Sequence, residues 1–174
     1  VLSDFPEIML VARTKNVPEG IQDHAAIKSA VKERLSSMGK VIVNGNSVHR
    51  RGTHDNREWL DLLSNALEKL GLSARYDLMI DASAGDMARD GRYVFDITDG
   101  SVRRPDEMIA YWLDLIHNHG LRFLEDPFAE TDDDSWSALT AEAGDCKIIG
   151  DNFYCSDWRR IEEGATARRA HGVI

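Results

Sequence analysis

The chain has 174 residues, of which 43% are hydrophobic and 29% are charged, and its formal net charge at pH 7 is −9. This composition is typical of a folded globular domain and excludes a disordered chain. A surface this acidic repels phosphate backbones, so nucleic acid is not an expected partner. No apolar run approaches the roughly 20 residues that span a bilayer, and Cys146 and Cys155 form no disulfide framework. We therefore expect a cytoplasmic protein without a membrane partner.

Short apolar segments alternate with amphipathic segments along the chain. The apolar segments predict strands at residues 7–11, 40–43, 78–81, 122–125 and 147–150. The amphipathic segments predict helices at residues 21–38, 57–70, 105–120, 134–143 and 157–169. This alternation predicts an α/β fold with a parallel sheet whose strands are covered on both faces.

One stretch interrupts the alternation. Residues 86–96 contain Asp90-Gly91, a turn signal of two-residue hairpins, beside strand-forming residues such as Tyr93. We therefore expect a hairpin excursion after the strand that ends at Asp81.

Three of the predicted strands end on an acid, at Asp81, Glu125 and Asp151. The carboxyl ends of parallel strands lie at one face of the sheet, where active sites are found. Converging carboxylates repel one another, and a hard divalent cation with oxygen ligands, best Mg²⁺, removes that repulsion. The alternative is that each acid only caps the following helix or pairs with an arginine.

The segments around these acids resemble enolase. Residues 124–130, Leu-Glu-Asp-Pro-Phe-Ala-Glu, are similar to the family's "EDPF" segment, and residues 149–152, Ile-Gly-Asp-Asn, to its "GDD" strand end. Residues 80–83 and 90–93 are similar to the strand with the first metal-binding Asp and to the "DGKY" hairpin after it. The three motifs occur in the family's order, and the resemblance covers nearly the whole chain.

The resemblance implies a partial (β/α)8 TIM-type barrel of the enolase C-terminal domain, with Mg²⁺ bound by Asp81, Glu125 and Asp151. It implies a lyase that interconverts 2-phosphoglycerate and phosphoenolpyruvate through an enolate-like intermediate, in a homodimer. Because the chain begins at Val1 and ends at Ile174 inside a predicted strand, we expect residues 1–174 to be an internal fragment. The N-terminal domain, the last barrel strands and the base Lys would then lie outside it, and the isolated fragment would pair or aggregate.

The sequence also departs from the family's acid–base pattern. A gap-free alignment places Asn46 where the family has the Glu that assists hydroxide departure, and an amide cannot donate a proton as a carboxylic acid does. His49 follows in a polar segment with Arg50 and Arg51, where it would contact an anionic substrate or replace the lost proton-transfer group. The alternative for His49 and His54 is a solvated basic loop.

Three functions therefore remain open. The first is an Mg²⁺-dependent enolase-type lyase acting on a small phosphorylated carboxylic acid. The second is an enzyme of phosphonate biosynthesis similar to carboxyphosphonoenolpyruvate synthase, which acts on a phosphonylated acid. The third is a non-catalytic enolase homologue. A phospho-receiver module is disfavoured because Ala12-Arg13, and not a pair of acids, follows the first predicted strand.

Overall fold

The computed structural model describes residues 3–13, 15–37, 41–44, 47–50 and 55–174. The strands are β1 Glu7–Ala12, β2 Val41–Asn44, β3 Ser47–Arg50, β4 Tyr76–Asp81, β5 Ala88–Arg89, β6 Arg92–Val94, β7 Val102–Arg103, β8 Leu121–Glu125, β9 Lys147–Gly150 and β10 Gly172–Val173. The helices are α1 Val17–Ser37, α2 Arg57–Lys69, α3 Pro105–Asn118, α4 Asp133–Glu142 and α5 Trp158–Thr166. The predicted order of strands and helices is thereby confirmed within the described part of the chain.

The main sheet has five strands in the order β1-β4-β8-β9-β10, and the last four are parallel. The sheet is open, with β1 and β10 at its edges. Strand β1 pairs with β4 in the antiparallel direction, so the expectation of a wholly parallel sheet is wrong at this strand. Helix α1, the β2–β3 hairpin and helix α2 lie between β1 and β4, and β4 begins at the end of the sheet where β1 stops, with Ala12 opposite Tyr76. The N–H of Arg13 donates to the carbonyl of Arg75 at 2.9 Å and marks that shared end.

The second predicted strand does not join the main sheet. Strand β2 pairs with β3 in an antiparallel hairpin, with Val41 opposite Arg50 and Ile42 opposite His49. Two residues separate these strands, and such a short connection closes a hairpin but cannot form a parallel crossover. The segment expected to be a polar loop after residue 43 is therefore partly a strand.

The predicted excursion at residues 86–96 is confirmed as a hairpin. Strands β5 and β6 pair with Arg89 opposite Arg92, and β7 pairs with β6 on its other side. Asp90 and Gly91 have φ values of 51° and 70°. Positive φ at both central residues is typical of the two-residue turns that most often connect the strands of a hairpin.

The core is formed where the helices cover the sheet. Leu60, Ile80, Trp112, Leu124 and Trp136 are fully buried in one apolar cluster. Such burial stabilises the fold by about 1.5–3 kcal/mol for each large side chain, which fixes the strands and with them the residues at their ends. None of the helices in the described ranges is long and apolar enough to cross a membrane.

Candidate metal centre

The candidate site lies where β4, β8 and β9 end. In the sheet register Asp81 is opposite Glu125, and Glu125 is opposite Ile149 on β9. Asp151 is the first residue after β9, two residues beyond Ile149. The parallel strands therefore bring the first two predicted acids side by side and place the third at the neighbouring strand end.

The structure adds Asp126, which the sequence analysis did not select. Carboxylate oxygens of Asp81, Glu125 and Asp126 all lie within 4.8 Å of one another. Adjacent residues of a strand normally point to opposite faces, but Asp126 leaves the extended conformation with φ 43°. This left-handed residue brings its carboxylate to the same place as that of Glu125. Its position directly after Glu125 at a strand end was the available signal.

Burial, with a contribution from neighbouring charges, raises the pKa of Glu125, Asp81 and Asp126. Glu125 is only 6% exposed, and burial, followed by the charges of Asp81, Asp126 and Asp151, raises its pKa to about 7. Burial also raises the pKa of Asp81, with a further contribution from Glu7 on β1. In the described part of the chain no salt bridge reaches Asp81, Glu125, Asp126 or Asp151. A cation in the cluster would relieve this repulsion.

The carboxylates differ in their hydrogen bonds. Oδ1 of Asp81 accepts from the N–H and the hydroxyl of Ser83, at 3.0 and 3.1 Å, so this acid also forms the turn after β4. Asp126 accepts from the backbone N–H groups of residues 151–153. The carboxylate of Glu125 has no hydrogen-bond donor among the described residues. The alternative that the acids only cap helices or pair with arginines therefore does not fit Glu125.

Two buried tryptophans hold the loop that follows Glu125. Nε1 of Trp112 donates to the carbonyl of Pro127 at 3.0 Å, and Nε1 of Trp136 donates to the carbonyl of Ala129 at 3.1 Å. The hydroxyl of Tyr93, on β6, accepts from the N–H of Ala129 at 3.1 Å. Helices α3 and α4 and the hairpin thus fix the loop beside the acids, and both tryptophans belong to the core.

The two predicted catalytic residues stay predictions. Asn46 lies outside the described residues. His49 belongs to strand β3, which corrects its expected place in a loop, and its side chain is not among the described groups. The predicted His54 also lies outside the described residues.

A largely parallel sheet covered by helices, with acids at the carboxyl ends of its strands, defines an α/β domain with a candidate metal centre. Residues 5–174 match the family model "Enolase, C-terminal TIM barrel domain", and the chain belongs to this family. The chain is 33% identical over 158 residues to an enolase of Beutenbergia cavernae, a match that covers 89% of this chain and 36% of that protein. It is 34% identical over 161 residues to an enolase of Acidothermus cellulolyticus, covering 89% of this chain and 35% of the relative. The chain thus spans about a third of the length of these curated relatives.

Proposed function

We propose that the centre binds Mg²⁺ and that the protein is an enolase-type lyase acting on a small phosphorylated carboxylic acid through an enolate-like intermediate. One observation carries this proposal. The acids that end β4 and β8 lie side by side, next to the acid that follows β9, without an ion pair in the described chain, and one of them is almost completely buried. Membership in the enolase family supports the reaction class.

The donor set fits Mg²⁺. Carboxylate oxygens are hard ligands, which Mg²⁺ prefers over nitrogen and sulfur. Asp81, Glu125 and Asp151 would hold the ion, each from a different strand end. Bound there, Mg²⁺ would supply Lewis-acid stabilisation of the negative charge that develops when a carboxylate substrate loses its α-proton.

The residues of the chain itself would act by binding and orientation. The buried Glu125 and the half-buried Asp81 concentrate negative charge at one edge of the sheet, so the site favours a cation and, through it, an anionic substrate. Asn46, at the position of the family's proton-donating Glu, could orient a hydroxyl group but not protonate it. We therefore propose that proton transfer depends on other groups, with His49 as the candidate in this chain.

Asn46 also favours a second candidate function. An enzyme that does not expel hydroxide needs no acid at this position, as in an enolase-like enzyme acting on a phosphonylated acid. A non-catalytic homologue would tolerate the same change, but it would have no reason to retain mutually repelling acids. We further propose that the protein acts as a homodimer, which sedimentation of the full-length protein would test.

Calorimetric titration with Mg²⁺ tests the proposal, with the protein expressed together with all flanking sequence that its gene encodes. Wild type should bind saturably, and Glu125→Gln should lower the affinity by about 100-fold or more, since loss even of an outer-sphere partner costs about 10–100-fold. Glu142→Gln is the matched control, because Glu142 is exposed on α4. Absence of binding by folded wild type would overturn the metal site and favour the non-catalytic homologue.

A second measurement separates the substrates. With Mg²⁺ bound, 2-phosphoglycerate and phosphonylated acids are supplied in turn, and consumption of each is followed by phosphorus-31 NMR, which detects reaction with or without loss of hydroxide. Turnover of 2-phosphoglycerate supports the enolase reaction despite Asn46. Turnover of only a phosphonylated acid favours the second candidate, and turnover of neither, with Mg²⁺ bound, contradicts both enzyme proposals.

A further inference from the structure

The carboxylate of Asp126 connects the acid cluster to the loop after β9. Asp126 is 3% exposed. Its carboxylate accepts hydrogen bonds from three consecutive backbone N–H groups, those of Asp151 at 3.1 Å, Asn152 at 2.7 Å and Phe153 at 3.3 Å. A carboxylate that receives several backbone N–H groups is strongly held, because each bond is charge-assisted. The loop that carries Asp151 is therefore tied to the end of β8.

The backbone of Asp126 makes two more links. Its N–H donates to the carbonyl of Ile149 at 3.0 Å, and its carbonyl accepts from the N–H of Ala84 at 2.9 Å. Ala84 lies in the turn after β4, and Ile149 lies in β9. Asp126, which directly follows β8, thus contacts the segments that follow the other two strands of the centre, and it does so with a left-handed backbone at φ 43°.

We propose that Asp126 is a positioning residue, which fixes the loop at 151–153 and so directs Asp151 toward Asp81 and Glu125. For the bound ion, this inference rests on the proposed function. A carboxylate oxygen of Asp126 lies within 4.8 Å of oxygens of Asp81 and Glu125, but backbone N–H groups already take three of the roughly four acceptor sites of this carboxylate. Glu125 has no donor in the described chain and keeps its oxygens free for an ion. This leaves Asp151, whose carboxylate accepts no hydrogen bond from the described residues, as the third ligand, and Asp126 acts through it.

Hydrogen exchange in the metal-free protein tests the loop contact directly. The variant is Asp126→Asn, because asparagine tolerates the left-handed backbone but loses one acceptor oxygen. The amides of residues 151–153 should exchange about tenfold faster or more, as expected when a bond worth about a factor of ten is lost. Exchange in β9 should stay unchanged, and Asp134→Asn, at an exposed position of α4, should alter neither. Unchanged exchange at 151–153 would overturn the proposal whether or not Mg²⁺ binds.

A measurement on wild type covers the case in which Asp126→Asn does not fold. Through-hydrogen-bond scalar couplings between the Asn152 amide nitrogen and the carboxyl carbon of Asp126 report the contact without any substitution. Their detection supports the tether. Their absence in a protein whose β8–β9 ladder shows such couplings overturns it.

A double-mutant cycle then separates positioning from direct ligation. Asp126→Asn should weaken Mn²⁺ binding, detected by electron paramagnetic resonance, about 10–100-fold, the range for groups that orient a ligand. This loss should vanish in the Asp151→Ala background, which has no side-chain oxygen left to position, and persist in the Asp81→Asn background. A loss that persists without the Asp151 carboxylate would make Asp126 a direct ligand and overturn the proposal. If wild type binds no Mn²⁺ or Mg²⁺, the proposed function fails, and hydrogen exchange alone decides whether Asp126 holds the loop.

Discussion

The two aspartates of strand β4 have opposite environments. Asp77, near the beginning of the strand, accepts from the guanidinium of Arg13 at 2.9 and 2.5 Å, and this contact lowers its pKa. Asp81, at the end of the strand, has no ion pair in the described chain, and burial raises its pKa. The same residue type thus supports the fold at one end of β4 and opposes it at the other. An acid that opposes folding is retained for another reason, and metal binding supplies one.

Among substitutions of these acids, Glu125→Gln should change the free energy of unfolding most. Removing the most buried of the unpaired charges should raise the free energy of unfolding of the metal-free protein at pH 8 by about 1–3 kcal/mol, because the repulsion and the desolvation of the carboxylate are lost. Urea unfolding in the presence of EDTA measures it, with Glu142→Gln as the exposed control. A destabilised Glu125→Gln protein would show that the carboxylate is already neutralised within the fold.

The stabilisation by Glu125→Gln should depend on pH. The pKa of Glu125 is raised from 4.5 to about 7 in the folded chain, so the folded state of the wild type binds more protons than the unfolded state. The stability linked to this group is complete below pH 4.5 and is lost as the pH rises through 7. The difference between variant and wild type should therefore shrink as the pH falls from 8 to 5. Equal differences at both pH values would assign the gain to another cause.

A smaller change in stability is expected at Tyr93, whose hydroxyl has hydrogen-bond partners. The hydroxyl of Tyr93 donates to Asp132 at 2.7 Å and accepts from the N–H of Ala129 at 3.1 Å. Tyr93→Phe should lower the free energy of unfolding by about 1–2 kcal/mol, since it leaves these groups without their partner. Tyr154→Phe is the matched control, because this buried tyrosine donates no hydrogen bond within the described chain. Equal losses for both variants would contradict a role for the Tyr93 hydroxyl.

The smallest effects are those of the two aspartates of β4, and their signs should differ. Asp81→Asn should stabilise the metal-free protein by about 1 kcal/mol or less, since the amide keeps an acceptor oxygen for Ser83 and loses the charge. Asp77→Asn should shift the urea midpoint the other way, because it removes the ion pair with Arg13. Shifts of the same sign would remove the distinction between the two ends of the strand.

Local patterns predicted most of the elements. Short apolar runs predicted the strands that end at Asp81 and Glu125, and Asp90-Gly91 predicted the hairpin. Both patterns depend only on residues that are neighbours in the sequence. The direction of β1 was not visible in this way. It is a property of the long connection of α1, the β2–β3 hairpin and α2, which returns the chain to the end of the sheet where β1 stops, and not of the strand sequence.

For the candidate metal centre, too, some features could be predicted from the sequence and others could not. The sequence by itself determined which acids follow apolar strands, and with them Asp81, Glu125 and Asp151, since an acid after a buried run needs no knowledge of the fold to be noticed. Only the tertiary structure decided that Glu125 is buried without a donor in the described chain and that Asp126 ties down the loop of Asp151. These facts depend on the register of β4, β8 and β9 and on one left-handed residue. Registers and loop contacts join residues far apart in the chain, and no local pattern of the sequence encodes them.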